Sequence, residues 1–168
     1  MTLKIRTASR NNLARLHPVI ERAYRGDSAR GGWTHEADLL DGARTDAATL
    51  EGIVDDSHQR LLIAEQDGAP VGCVQVTDRG GGLCYLGLLC VDPALQAGGL
   101  GRQLIAAAEA TAREDFGAAQ MEMTVIDVRV ELIAYYERRG YRVSGEKRDF
   151  PIALDPPFFM SVLVKPLR

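Results

Sequence analysis

Two periods of hydrophobic and polar positions run along this chain. Leu3, Ile5 and Thr7 alternate with Lys4 and Arg6, so a first strand is expected over Thr2–Ala8. Leu13, Leu16, Ile20 and Ala23 then recur at helical spacing behind Ser9, a residue suited to cap a helix. Pro18 falls inside that run and predicts a kink or a restart. Thr34 or Thr45 can cap short helices, and Ala47–Asp56 reads as a weakly patterned helix. Three strand-like runs follow, Arg60–Gln66, Pro70–Asp78 and Leu83–Val91. Asp67-Gly68 between the first two is a hairpin signal, and Arg79–Gly82 is a glycine-rich turn. Leu100, Leu104, Ala108, Thr111 and Ala112 return to helical spacing, ended by Gly117. Met121, Met123 and Val125 alternate with Glu122 and Thr124, a further strand. Arg129–Arg139 reads as a helix stopped at Gly140. Tyr141–Phe150 and Phe158–Pro166 are the last two strands, joined by a segment holding Pro151, Pro156 and Pro157.

This order predicts an α/β domain over residues 1–168, with a mixed, mostly antiparallel sheet flanked by helices. The strand–helix–strand unit around Leu100 should set Leu86–Val91 and Met121–Ile126 parallel through a right-handed crossover. Composition narrows the function classes. The 168 residues suit one domain with a sizeable core. A formal net charge of −3 provides no basic field, so no nucleic-acid partner is expected. The apolar runs are too short to cross a bilayer, and the N-terminal residues are polar and basic where a signal peptide needs an apolar stretch. Cys73, Cys84 and Cys90 lie in apolar strands without C-x-x-C spacing, which reads as reduced thiols in a cytoplasmic protein. A disulfide pair plus one free thiol is the alternative. No metal site is expected.

The chemistry centres on Leu86–Arg102. An apolar strand stops at Asp92-Pro93, and Gln96-Ala97-Gly98-Gly99-Leu100-Gly101-Arg102 leads directly into a helix. Glycines let a ligand approach the backbone, and the free N–H groups of a helix start suit an anion such as pyrophosphate. The Walker pattern is excluded, because Gly101 is followed by Arg102 and Gln103. The dinucleotide pattern is excluded, because Leu104 stands where a third glycine or alanine belongs. Gln/Arg-x-x-Gly-x-Gly/Ala is matched in full by Gln96, Gly99 and Gly101. Alone, this stretch is equally compatible with a glycine-rich turn that binds nothing.

A second stretch, Leu132-Ile133-Ala134-Tyr135-Tyr136-Glu137-Arg138-Arg139-Gly140-Tyr141, ends a helix in glycine followed by an aromatic residue. Tyr136–Tyr141 resembles the Tyr-Glu-Lys-x-Gly-Phe/Tyr pattern of the GNAT superfamily of N-acetyltransferases. The Gln96–Arg102 loop resembles that superfamily's acetyl-coenzyme A loop, and the element order is similar to its fold from end to end. The resemblance implies a GNAT fold whose sheet splays between the fourth and fifth strands. It implies acetyl-coenzyme A as co-substrate, with Leu89, Cys90 and Val91 holding the pantetheine arm through backbone hydrogen bonds. The amides of Ala97, Gly98, Gly99, Leu100, Gly101 and Arg102, after Gln96, would hold the pyrophosphate. Tyr136 maps onto the residue that protonates the departing thiolate, while Tyr135 is expected in the core.

Two departures accompany the resemblance. Val128 and Arg129 stand where many members carry asparagine, and Leu83–Val91 has no carboxylate to act as general base. Glu122 lies on the neighbouring strand with its direction open. The expected activity is N-acetylation of a primary amine, that of a small molecule. The alternatives are a protein or peptide N-acetyltransferase and a non-catalytic acyl-coenzyme A sensor or binding module. Trp33, His35, Glu36 and Asp38 read either as a surface helix with Trp33 over an apolar edge, or as an acceptor pocket in which an acid holds a cationic substrate. The last strands are candidates to pair across a homodimer.

Overall fold

The computed structural model describes residues 3–24, 45–149 and 159–167. Seven strands form one sheet in the order β1-β2-β3-β4-β5-β7-β6. They are β1 Leu3–Thr7, β2 Gln59–Gln66, β3 Ala69–Gly80, β4 Leu83–Val91, β5 Gln120–Ile126, β6 Arg142–Asp149 and β7 Phe159–Pro166. Among the described residues four α-helices accompany them, α1 Leu13–Tyr24, α2 Ala47–Asp55, α3 Leu100–Phe116 and α4 Val130–Arg138. All neighbouring strands are antiparallel except β4 and β5. The expected alternation of elements is thus present, with ends moved by one or two residues.

The two hairpins of the meander are tight. Asp67 and Gly68 both have positive φ (52° and 84°), the conformation in which a two-residue loop follows the twist of its strands. The next turn is shorter than the four residues expected over Arg79–Gly82. β3 runs on to Gly80, which pairs with Leu83, and Gly81 and Gly82 alone close the loop at positive φ.

Pro18 neither ends nor restarts α1, which continues from Leu13 to Tyr24 around it. The buried stripe Leu13, Leu16, Val19, Ile20 and Ala23 anchors the helix to the sheet while Pro18 faces solvent. Ser9 is the N-cap of the 3₁₀ turn Arg10–Asn12 that leads into α1, and Asn12 completes a capping box, its Oδ1 accepting from the Ser9 N–H at 2.8 Å. At α2 the cap is Asp46 rather than Thr45, its carboxylate accepting from the Thr49 N–H at 2.7 Å. Gly117 ends α3 at φ 62°. Its N–H bonds to the Arg113 carbonyl and that of Ala118 to the Ala112 carbonyl, so the turn at Gly117 satisfies two carbonyls at the end of the helix.

The sheet separates two apolar cores. One holds the buried stripe of α1 with Leu50 and Ile53 of α2, against Leu61, Ile63, Cys73, Leu88 and Cys90. The other packs α3 and Tyr136 against Val74, Leu86, Leu89, Met121 and Leu163. All three cysteines are buried free thiols, with Cys73 and Cys90 sulfurs 3.4 Å apart across β3 and β4. Burial first, and then Asp78, pushes the Cys84 thiol up to about 11.

Candidate active site

The parallel contact between β4 and β5 is short. The two strands run parallel as expected, but only Leu83–Tyr85 pair with Gln120–Glu122, and the sheet splays beyond them as the resemblance implied. The hydroxyls of Tyr85 and Thr124 meet across the end of the paired stretch. Beyond that link the strands diverge, and a cavity of about 280 Å³ opens between them. It is lined from both faces of the sheet, by Tyr24, Gln75 and Leu88 on the α1 side and by Leu89, Leu132 and Tyr136 on the other.

β4 carries a bulge at this fork. Cys73 faces Cys90 and Gln75 faces Gly87, so Val74 alone is matched against both Leu88 and Leu89. Leu88 adopts φ 49°, a left-handed conformation that costs a non-glycine residue about 1–3 kcal/mol. Its surroundings hold it there. The Tyr24 hydroxyl donates to the Leu89 carbonyl, and the Cys73 thiol donates to the Leu88 carbonyl at 3.5 Å. The bulge thereby turns backbone at Leu88–Leu89 onto the cavity wall.

At the far end of β4, Asp92 starts a 3₁₀ turn over Pro93–Gly98. Its carboxylate accepts from the Ala94 N–H at 3.2 Å and pairs with Arg22 at 3.0 Å. Gly99 then takes φ 79°, and α3 begins at Leu100. The first amides of a helix have no intrahelical acceptor, so Leu100, Gly101 and Arg102 present N–H groups where an anion is favoured. Leu89, Cys90, Val91 and the 96–102 segment therefore form one continuous track from the fork to this helix start. Cys90 contributes backbone only, since its side chain belongs to the α1-side core.

The two tyrosines of α4 lie in different surroundings. Tyr136 is 5% exposed and lines the cavity. Burial, then the neighbouring Tyr135, raises its pKa well above the ordinary tyrosine value. Tyr135 packs against the α3-side core, where it was expected, but at its margin. It is partly buried, edge-on to Tyr136 with ring centroids 5.4 Å apart, and carries the Arg139 guanidinium over its face at 5.1 Å. A Cβ on Gly101 would stand 2.8 Å from the Tyr135 hydroxyl, so this phenol abuts the start of α3.

Arg129 occupies the N-cap position of α4 and lines the cavity. Glu122 does not line it. Its carboxylate is buried and accepts two hydrogen bonds from Arg148, at 3.3 and 3.2 Å. Trp33, His35, Glu36 and Asp38 lie outside the described residues. Tyr24, Gln75 and Tyr85 reach the cavity without having been singled out by periodicity. Gln75 had a legible signal, a lone polar residue inside the apolar run Val71–Val76.

Comparison with known proteins adds to this geometry. A family model described as an Acetyltransferase (GNAT) domain matches residues 37–151. Blasticidin-S acetyltransferase of Streptomyces morookaense is 37% identical over 83 residues, a stretch covering 49% of this chain and 57% of that protein. The chain thus matches little more than half the length of that relative. The ribosomal-protein-S18-alanine N-acetyltransferase of Escherichia coli superposes with a TM-score of 0.76 at 17% identity, over 99% of this chain and 94% of that one. The PaiA N-acetyltransferase of Thermoplasma acidophilum, in complex with coenzyme A, gives 0.76 at 18% identity, over 99% of each chain.

Proposed function

Because this chain belongs to the GNAT acetyltransferase family, we propose that it moves an acetyl group from acetyl-coenzyme A to the primary amine of a small molecule. The observation that carries the reading is the fork itself. One cavity brings a backbone bulge and a buried phenol together, and a run of helix-start amides lies at the end of the same strand. These residues fit the co-substrate. The amides of Gly98–Arg102 suit a pyrophosphate, the Leu89–Val91 backbone suits the amide-bearing pantetheine arm, and the fork admits a thioester.

The residues divide the work. Backbone N–H at the Leu88–Leu89 bulge stabilises negative charge developing on the carbonyl oxygen. The C–N bond forms as the C–S bond breaks, Tyr136 gives its proton to the departing sulfur, and the proton shed by the new amide nitrogen passes through water and restores the phenol. Its raised pKa keeps it protonated at neutral pH. A well-placed acid is typically worth about 10²–10⁴-fold. Among the described residues lining the cavity none is a carboxylate, so the amine that attacks is one that sheds its proton readily. An α-amino group, at about 7.7–8.0, does so more easily than a lysine, at about 10.4.

The similarity to blasticidin-S acetyltransferase favours a small-molecule acceptor. The test offers blasticidin S, spermidine and an alanine-terminated peptide with acetyl-coenzyme A, and follows free thiol. The expected result is turnover of blasticidin S above both others. Turnover of the peptide alone replaces this acceptor class with a protein N-terminus. A thermal shift with acetyl-coenzyme A and no thiol release from any amine indicates the sensor. No shift at millimolar acetyl-coenzyme A removes the co-substrate assignment.

A further inference from the structure

The cavity wall on the α1 side carries a polar relay that the acetyltransferase reading does not use. Gln75 of β3 donates from Nε2 to Gln59 Oε1, and more weakly to Thr77 Oγ1 at 3.5 Å. Gln59 of β2 donates from Nε2 to Asp56 Oδ2 at 2.9 Å, while the other Asp56 oxygen accepts from the His58 N–H at 2.8 Å. Thr77 adds a donor to Gln59 Oε1 at 3.4 Å.

The orientation of each carboxamide follows from the end of this chain. A carboxylate only accepts hydrogen bonds. The Gln59 amide and the His58 N–H hold the Asp56 carboxyl below its ordinary range, so it is ionised at neutral pH. Gln59 must therefore turn its NH₂ to Asp56 and its oxygen to Gln75. Gln75 must then turn its NH₂ to Gln59, because the opposite orientation sets two carbonyl oxygens against each other. With both its hydrogens directed at Gln59 and Thr77, Gln75 presents its oxygen on the other side.

That side is the cavity. A Cβ on Gly87 would lie 3.7 Å from Gln75 Oε1 and 3.1 Å from the Tyr85 ring, so the missing side chain of Gly87 leaves the oxygen uncovered. Gln75 and Gly87 both line the fork, opposite Tyr136. An amine approaching from the α1 side meets a fixed neutral acceptor for one N–H, with its lone pair free to face the fork.

We propose that Gln75 seats the attacking amine through its side-chain oxygen, and that Gln59 and Asp56 are positioning residues that lock that oxygen toward the cavity. The inference rests on the acetyltransferase reading and adds a residue that determines acceptor binding. It also accounts for a site without a carboxylate base. The amine is held by an oxygen too weakly basic to take its proton, so the proton must leave the amine before it attacks.

The test compares Gln75→Leu, Asp56→Asn and the double variant, with whichever of blasticidin S, spermidine and the alanine-terminated peptide the unmutated protein turns over fastest. Gln75→Leu should raise the acceptor KM about five- to tenfold, the scale of one lost hydrogen bond. The acetyl-coenzyme A KM and thermal shift should stay unchanged. Asp56→Asn frees the relay to reverse and should raise the acceptor KM about two- to fivefold. Since Asp56 acts only through Gln75, the double variant should match Gln75→Leu alone. Additive effects, an unchanged acceptor KM, or equal losses for donor and acceptor overturn the proposal. These outcomes leave the acetyl-coenzyme A shift of the unmutated protein in place. Absence of that shift, or of turnover with all three amines, instead removes the enzymatic reading and this inference with it.

Discussion

At the scale of single residues, Tyr135 and Tyr136 show how one position along a helix separates two surroundings. Both lie near the same face of α4, yet one hydroxyl faces the fork and the other the start of α3. Tyr136→Phe keeps the ring and its packing, so kcat and kcat/KM should fall together by at least about tenfold, measured with chemistry rate-limiting. Tyr135→Phe should behave differently. Its hydroxyl abuts Gly101, so its loss should raise the acetyl-coenzyme A KM a few-fold and leave kcat unchanged. Loss of kcat in Tyr135→Phe with full kcat in Tyr136→Phe reverses the assignment. The protonation of Tyr136 adds a pH signature. Burial raises its folded pKa above the unfolded value of about 10, so the proton is bound more tightly in the native state. The stability this contributes is present below about pH 10 and lost above it. In the pH profile of kcat/KM, the amine's deprotonation should give a rising limb, with no falling limb below about pH 10. A falling limb near pH 8 that disappears in Tyr136→Phe contradicts this account of the acid.

At the scale of elements, the structure separates what periodicity specifies from what only packing decides. The short apolar runs in Arg60–Gln66 and Leu83–Val91 marked two strands, and Asp67-Gly68 marked the turn between β2 and β3, because local backbone chemistry dictates that turn. In two places tertiary contacts decide what a local rule leaves open. Pro18 did not break α1, because five buried side chains hold the helix on the sheet. The parallel pairing of β4 stops at Tyr85, because the bulge at Leu88 turns the strand away, and no residue type in Leu86–Val91 announces a leucine at positive φ. The turn and helix start at Gly99–Leu100 were legible because the glycine spacing encodes them, whereas the place of Tyr24 and Gln75 depends on which strands lie beside the fork. Pro18 remains a local defect in α1. Its ring removes one N–H bond and crowds the carbonyl four residues earlier, and it faces solvent. Pro18→Ala should stabilise the protein by about 1–2 kcal/mol after the entropy gained by the unfolded chain is subtracted. The melting temperature should rise by about 2–8 °C. An unchanged or lower value means the proline conformation is already relaxed in this helix. Gly99→Glu tests the turn before α3. Any side chain at φ 79° is strained, and this one adds negative charge beside the helix start, with Arg102 3.0 Å from its Cβ. The acetyl-coenzyme A thermal shift should disappear, and a full shift removes the pyrophosphate from this turn.

At the scale of the whole molecule, the fork poses a mechanical question. Two half-sheets, β1–β4 and β5–β7–β6, share three backbone pairs and one hydroxyl contact, yet must keep a fixed gap. α3 spans them. It packs on β3 and β4 through Leu104 and Ala108, and on its other side Glu109 reaches toward the second half. Glu109 is 7% exposed and accepts from the Tyr141 hydroxyl at 2.9 Å and from Lys165 of β7 at 3.0 Å. Lys165 also lies 5.7 Å from the centre of the Tyr141 ring. This cluster joins α3, the exit of α4 and the last strand, so it ties the Tyr136 helix to the cofactor-side helix. Removing only the cation leaves a buried carboxylate without its charge partner, which costs about 3–5 kcal/mol when the pair is fully buried. Lys165 is partly exposed, so Lys165→Met should cost less, about 1–3 kcal/mol after solvent screening. Adding Glu109→Gln should recover much of that loss, because the uncompensated charge is then gone. If the cluster sets the gap, Lys165→Met should also weaken the acetyl-coenzyme A thermal shift, though Lys165 is not among the residues lining the cavity. Loss of stability with an undiminished shift confines the cluster to holding the fold together, and leaves the width of the fork to the Tyr85–Thr124 contact.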